Sequence, residues 1–345
     1  MTPEAILALF EQNGHRFEAR NLATAVHRIG KHGVRHVRQD PRFERLIEMC
    51  SRRISEFDPQ HIANSAWGCA KTGFTDPRFF KAVAEQASRR IHWFSAQGMA
   101  YTVWAFATAT VSADPLFEAV AEEAPHRMNE FNAQEMANTV WAFATASVTA
   151  DPLFKAVAIE FPQRINEFNA QNIANTVWAF ATAGVAAGSL FMAVASEVPR
   201  RINEFDAQAM ANTVWAFATA SVAADPLFKA VAAEVPRRIG EFNAQDMANT
   251  VWAFAKANVT ADLLFKAVAA EVPRRIGEFN TQNMATTAWA FACVGWGQYQ
   301  TFRELGSSIA AHLNNFNEAD KSQLHRVALY VQMQWPDLDF HFRPL

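Results

Sequence analysis

FNAQEMANTVWAFATASVTADPLFKAVAIEFPQRINE, residues 131–167, decides the fold, because the chain writes it out repeatedly with small changes. Its tryptophan, Trp141, recurs as Trp67, Trp104, Trp178, Trp215, Trp252 and Trp289, each 37 residues after the last (67, 104, 141 and so on). A fixed period between about 20 and 50 residues is the signature of a stacked repeat array. With Phe131 as position 1, full units begin at Phe57, Phe94, Phe131, Phe168, Phe205, Phe242 and Phe279.

Each unit reads as two helices. Position 2 is Asp58, Ser95, Asn132, Asn169, Asp206, Asn243 or Asn280, residues whose side chains cap a helix N-terminus. Helix A then runs through ANTVWAFATA, with apolar positions 3, 6, 7, 10, 13, 14 and 17 on one face. Asp114-Pro115, Asp151-Pro152 and Asp225-Pro226 read as N-cap and first-turn proline of helix B. Pro125, Pro162, Pro199, Pro236 and Pro273 fall inside that second helix and predict a kink or break. Ser88 and Ala310 at the same position predict straighter helices.

The expected architecture is an all-α solenoid of two-helix repeats stacked into a superhelix. Residues 1–16 form a capping helix, with Thr2 as N-cap and Gly14 as the stop. Residues 17–56 form a degenerate repeat with His27 in the tryptophan place and three extra residues. Residues 57–315 hold the seven full repeats, and 316–345 a capping half repeat.

The 345 residues carry a formal net charge of −3 and are half apolar, enough for a continuous core. No apolar run reaches the length of a membrane span. No secretory signal is visible, and Glu4 and Glu11 argue against a transit peptide at the start. Cys50, Cys69 and Cys293 lie far apart, which fits neither a disulfide framework nor a zinc site. His32 and His36 lack a third ligand nearby and read as part of a basic stretch. There is no phosphate loop and no nucleophile motif. The acidic residues recur at repeat phase, whereas a catalytic pair would be unique. The expectation is therefore no enzyme, no cofactor, no metal and no small-molecule substrate.

Three recurring positions stand out. Position 5 changes in nearly every unit: Asn21, His61, Gly98, Glu135, Asn172, Ala209, Asp246 and Asn283. It reads as lying opposite the apolar stripe, beside small residues at 9, 12 and 16. That is either a reading groove for bases or a cap position free to drift. Position 8 is Asn64, Tyr101, Asn138, Asn175, Asn212 and Asn249, with Thr24 and Thr286 at the ends. Asparagine is a poor helix-interior residue, so it reads as a hydrogen-bonded ladder between helices, joined by the glutamines at position 4, or as contact to bases. Position 34 is Arg53, Arg90, Arg127, Arg164, Arg201, Arg238 and Arg275. These read either as i, i+4 partners of Glu123 and its copies or as a line of guanidiniums on a phosphate backbone. The tryptophans themselves read as core packing between repeats.

The unit, with ANTVWAFA in helix A and LF.A.A.E...R..EF in helix B, resembles the octotricopeptide and heptatricopeptide repeats of organellar RNA-binding proteins. It is similar to the helical part of the FAST-kinase-like proteins and to the repeat domain of the kinetoplastid RNA-editing substrate-binding complex. The resemblance spans about residues 17–340. The segment LHRVALYVQMQWPDLDF (324–340) is similar to one that often precedes a RAP domain, which these 345 residues do not include. The resemblance implies binding of single-stranded RNA in mitochondria or plastids, in RNA processing, stability or translation, with other RNA-processing proteins as possible partners. A protein-interaction scaffold on the concave solenoid surface is the alternative.

Overall fold

The computed structural model describes residues 1–32, 35–338 and 340. They contain eighteen α-helices and no strand, an all-α solenoid. The chain divides into two compact units, Met1–Phe168 and Asn169–Leu345. The first holds α1 (Pro3–Asn13), α2 (Ala19–Lys31), α3 (Pro41–Arg52), α4 (Pro59–Thr72), α5 (Pro77–Arg89), α6 (Ala96–Ala109), α7 (Asp114–Glu123), α8 (Ala133–Thr145) and α9 (Asp151–Gln163). The second holds α10 (Ala170–Ala183), α11 (Gly188–Glu197), α12 (Ala207–Thr219), α13 (Asp225–Arg238), α14 (Ala244–Lys256), α15 (Asp262–Arg275), α16 (Thr281–Cys293), α17 (Tyr299–Ala311) and α18 (Glu318–Gln334). Even-numbered helices are the A helices; odd-numbered helices from α3 onward are the B helices.

Within each unit the A helices form one layer and the B helices a second, and the A helices lie in much fuller contact with their neighbours. At α2 and α4 the backbones nearly touch: a Cβ on Gly30 would come within 2.6 Å of Gly68 Cα. The stack is bonded by phenylalanine. Position 24 of one repeat meets position 13 of the next at ring distances of 5.1 Å (Phe80–Phe106), 4.9 Å (Phe117–Phe143), 5.0 Å (Phe191–Phe217) and 5.0 Å (Phe228–Phe254). These rings meet edge to face and are buried, the arrangement aromatic quadrupoles favour.

Local sequence accounts for each boundary. The position-2 side chain accepts from the position-5 N–H in all seven full repeats, from Asp58 with His61 to Asn280 with Asn283. Helix A stops at position 17, which is left-handed every time: Gly73, Thr110, Ser147, Gly184, Ser221, Asn258 and Gly295. The next N–H then returns to the position-13 carbonyl, as from Val148 to Phe143 at 3.0 Å. Thr2 caps α1 as expected, and Gly14 ends it.

Helix B departs from expectation in two ways. Asp114, Asp151 and Asp225 are its first helical residues, not its caps; an alanine precedes each. The break near its end is not caused by proline. Position 34 leaves helical geometry in Arg127 (φ −125°), Arg164 (φ −121°) and Arg201 (φ −119°), but equally in Arg90 (φ −124°) and His312 (φ −122°), whose repeats carry Ser88 and Ala310 in place of proline. Pro162, Pro236 and Pro273 sit in the last turn, while α7 and α11 end just before Pro125 and Pro199.

Candidate nucleic-acid interface

A packed A helix has neighbours on three sides, and what remains open is narrow. The apolar face meets the B layer. The small face, positions 5, 9 and 12, meets the adjacent A helices, so Thr139 and Ala142 are fully buried. Position 5 is consequently not on an open groove. Glu135, Asn172, Ala209, Asp246 and Asn283 are buried, and Gly98 with them; His61 is half-buried and only Asn21 is exposed. Where their side chains bond, they serve the helix start. Glu135 accepts from Asn132 N–H at 2.9 Å, Asp246 from Asn243 N–H at 3.2 Å and Asn21 from Glu18 N–H at 3.0 Å, each closing a capping box. Burial without a cationic partner pushes the Asp246 carboxyl above its ordinary pKa. The misplacement has a clear source: alanine, glycine and threonine look neutral in a hydrophobic pattern, yet they are what lets two helices approach closely.

The open stripe is positions 4, 8, 11 and 15, successive residues along one helix face. On α10 these are Gln171, Asn175, Trp178 and Thr182; on α12, Gln208, Asn212, Trp215 and Thr219; on α14, Gln245, Asn249, Trp252 and Lys256. The glutamines are exposed and the asparagines and tryptophans half-exposed. In the first unit the stripe is Arg20, Thr24, His27 and Lys31 on α2, Gln60, Asn64, Trp67 and Lys71 on α4, Gln97, Tyr101, Trp104 and Thr108 on α6, and Gln134, Asn138, Trp141 and Thr145 on α8. None of these positions carries a carboxylate in any repeat from Phe17 to the one that begins at Phe279.

Two expectations change here. The position-8 ladder does not form: among the described residues, Asn64, Asn138, Asn175, Asn212 and Asn249 make no side-chain hydrogen bond to protein. Of the position-4 glutamines only Gln97 makes one, a long 3.5 Å contact to the Tyr101 hydroxyl. The tryptophans are not core. They line up along the surface, with ring centroids 6.4 Å apart for Trp67–Trp104, 6.4 Å for Trp178–Trp215 and 6.2 Å for Trp215–Trp252. Packed helix axes lie about 8–10 Å apart, so the rings lean together over the A layer. Between α10 and α12 a small cavity opens under the stripe, lined by Gln171, Asn175, Asp206, Gln208, Ala209 and Asn212.

The position-34 arginines are occupied by structure. Nη1 donates to the main-chain oxygen of position 1: Arg90 to Phe57 at 2.8 Å, Arg127 to Phe94 at 3.0 Å, Arg238 to Phe205 at 2.8 Å and Arg275 to Phe242 at 2.7 Å. Arg53 does the same to Phe17, 36 residues earlier instead of 33, so the clamp closes over the three extra residues of the first repeat. Nε and Nη2 fork onto the position-37 carboxylate, Glu56, Glu130, Glu167, Glu204, Glu241 or Glu278. These hydrogen bonds hold each glutamate below the usual carboxylate range. The expected i, i+4 partner is secondary: Glu123 reaches Arg127 at 3.2 Å and Glu197 reaches Arg201 at 3.7 Å. A guanidinium whose donors face a carbonyl and a carboxylate is poorly placed to follow phosphates. A glutamate stands three residues after every one of these arginines but Arg90, which Trp93 follows, and that was the sequence signal for the carboxylate half of the clamp.

Among the described residues no group of histidine, cysteine or acidic side chains is arranged for a metal ion, and no helix is long and apolar enough to cross a membrane. Cys50 and Cys69 are buried; burial raises both thiols far above their ordinary range. No curated protein matches the chain. Residues 13–176 and 90–333 each match a known family, and together they span most of the chain. With its helical repeats, this chain belongs to the RNA-editing substrate-binding complex 6 protein family.

Proposed function

We propose that the chain binds single-stranded RNA along the stripe of positions 4, 8, 11 and 15, as a non-catalytic component of an RNA-editing assembly. The observation that carries this reading is a surface line of unpaired amides and half-exposed indoles with no carboxylate in it. A polyanion is repelled by carboxylates, whereas amides can donate to or accept from base edges and indole faces stack on any base. Residues that repeat unchanged favour sequence-tolerant contact. The ring spacing supports an unstacked strand: 6.2–6.4 Å per repeat is nearly twice the roughly 3.4 Å per nucleotide of a stacked strand, which suits one base per repeat. Asn64, Tyr101, Asn138, Asn175, Asn212 and Asn249 remain the base-facing candidates, joined by the tryptophans. The family's name points to RNA editing and to a complex with partners, for which the B layer, with exposed Ile159 and Leu263, offers a separate surface; a mitochondrial setting goes with this reading.

The test is binding of a labelled random-sequence single-stranded RNA at low salt. Replacing Asn175, Asn212 and Asn249 together by aspartate changes shape little and puts three negative charges in the stripe. Affinity should fall by about tenfold or more. Unchanged binding would remove the stripe from consideration, and a wild-type chain that ignores RNA but captures protein partners would establish the scaffold reading instead.

A further inference from the structure

One stretch of the stripe differs from the rest. Tyr101 stands at position 8, where five other full repeats have asparagine, and it is the only aromatic residue there. Its ring stacks on Trp67 with centroids 5.6 Å apart and planes 20° from parallel. Trp104, one turn further along α6, lies 6.4 Å from Trp67, and His27 meets Trp67 edge-on at 5.1 Å. Three successive A helices, α2, α4 and α6, thus contribute to one half-exposed aromatic platform.

The same place concentrates positive charge. Lys71, at position 15 of α4, holds its Nζ 5.0 Å from the Trp104 ring centre and 5.6 Å from that of Trp67. It has no carboxylate partner among the described residues. Arg20 and Lys31 occupy positions 4 and 15 of α2, also exposed and without an ion pair among the described residues. From α6 through α12, position 15 is threonine: Thr108, Thr145, Thr182 and Thr219. The nearest acidic groups on these helices, Glu18 and Asp58, sit at the helix starts, where Asp58 is engaged with the His61 N–H and ring.

We propose that Trp67, Lys71, Tyr101 and Trp104 form an anchoring subsite for one nucleotide of single-stranded RNA, so that the first unit grips the strand most tightly here. The base stacks on the exposed indole and phenol faces, and Lys71, held over the rings by their π electrons, turns to the adjacent phosphate. Packing does not account for Tyr101, which is half-exposed and whose one polar contact is the long one from Gln97. The inference rests on the RNA-binding reading above and gives the first unit's stripe a strong point.

The chain itself supplies conservative replacements. Tyr101→Asn and Lys71→Thr install the residues that other repeats carry at those positions. The double variant should bind random single-stranded RNA about tenfold more weakly at low salt. The slope of log affinity against log salt should shrink by about 0.7, the loss of one phosphate contact on a single strand. Conversely, Thr182→Lys with Asn212→Tyr rebuilds the cluster over Trp178 and Trp215 and should tighten binding by a similar factor, which decides the matter should the first variant fold poorly. A wild type that binds, with a folded double variant within about twofold of it, overturns the anchor and leaves the stripe standing. A wild type that does not bind RNA removes both.

Discussion

Arg164 donates from Nη1 to the main-chain oxygen of Phe131, 2.9 Å away and 33 residues earlier. This joins the end of helix B to the residue before helix A, so the repeat is fastened shut by one side chain. Arg164→Gln cannot reach both the carbonyl and Glu167. It should lower stability by about 1–3 kcal/mol, read from urea unfolding, while leaving the salt dependence of RNA binding unchanged. A flattened salt dependence with unaltered stability would return the arginines to the phosphate backbone.

The same clamp gives an acid signature. The Glu167 carboxyl is held below its ordinary range by its bond to Arg164. Its stabilising contribution is present above the unfolded-state pKa and is lost as pH falls through the folded one. With a like pair in most repeats, the wild type should lose stability on acidification, and Arg164→Gln should lose less over the same range, since that pair is already broken. Melting temperatures measured down the acid limb check this.

Asp246 titrates in the opposite sense. Burial raises its folded pKa, so it favours folding below the unfolded-state value and this contribution disappears as pH rises through the folded one. Asp246→Asn keeps the capping acceptor, as Asn21 does for Glu18, and removes the buried charge. The variant should be the more stable at neutral pH, and the difference should close as pH falls. A variant less stable at neutral pH would mean that the charge is favoured by the helix start.

Trp215 and Phe217 are two residues apart and should behave differently. Phe217 is fully buried against Phe191, so Phe217→Ala should cost about 3–5 kcal/mol. Trp215 lies half in solvent on the stripe; its removal opens no closed cavity and should cost about 1–2 kcal/mol while weakening RNA binding. Equal destabilisation by the two substitutions would restore tryptophan to the core.

Thr110 is β-branched and left-handed at φ 56°, where Gly73 and Gly184 stand in sister repeats. Thr110→Gly relieves that strain and should stabilise the chain by about 0.5–1 kcal/mol; thermal unfolding reports it directly.

The period, the two helices and the position-2 caps were legible in the sequence because each depends on residues within one turn of one another. The open face was not. Amphipathicity separates apolar from polar, and it assigned the polar-or-small residues at 5, 9 and 12 to solvent. In a layered array those positions meet another helix, and only a contact map tells Thr139 from Thr145. Nor was the carbonyl half of the arginine clamp readable, since its acceptor is a backbone oxygen 33 positions away. Tryptophan misled for a related reason. Large apolar rings are usually interior, but here the phenylalanines at 13 and 24 already fill the space between repeats.

Because the clamp bonds position 34 to position 1 of its own unit, and in most repeats the glutamate at 37 completes it, its main partners come from within the same copy. Excision of residues 205–241 would orphan no guanidinium and no cap. The array can therefore lengthen or shorten in whole steps without renegotiating its chemistry, and the length of the surface it presents becomes a matter of gene copying: a ruler whose scale is fixed and whose length is left to inheritance.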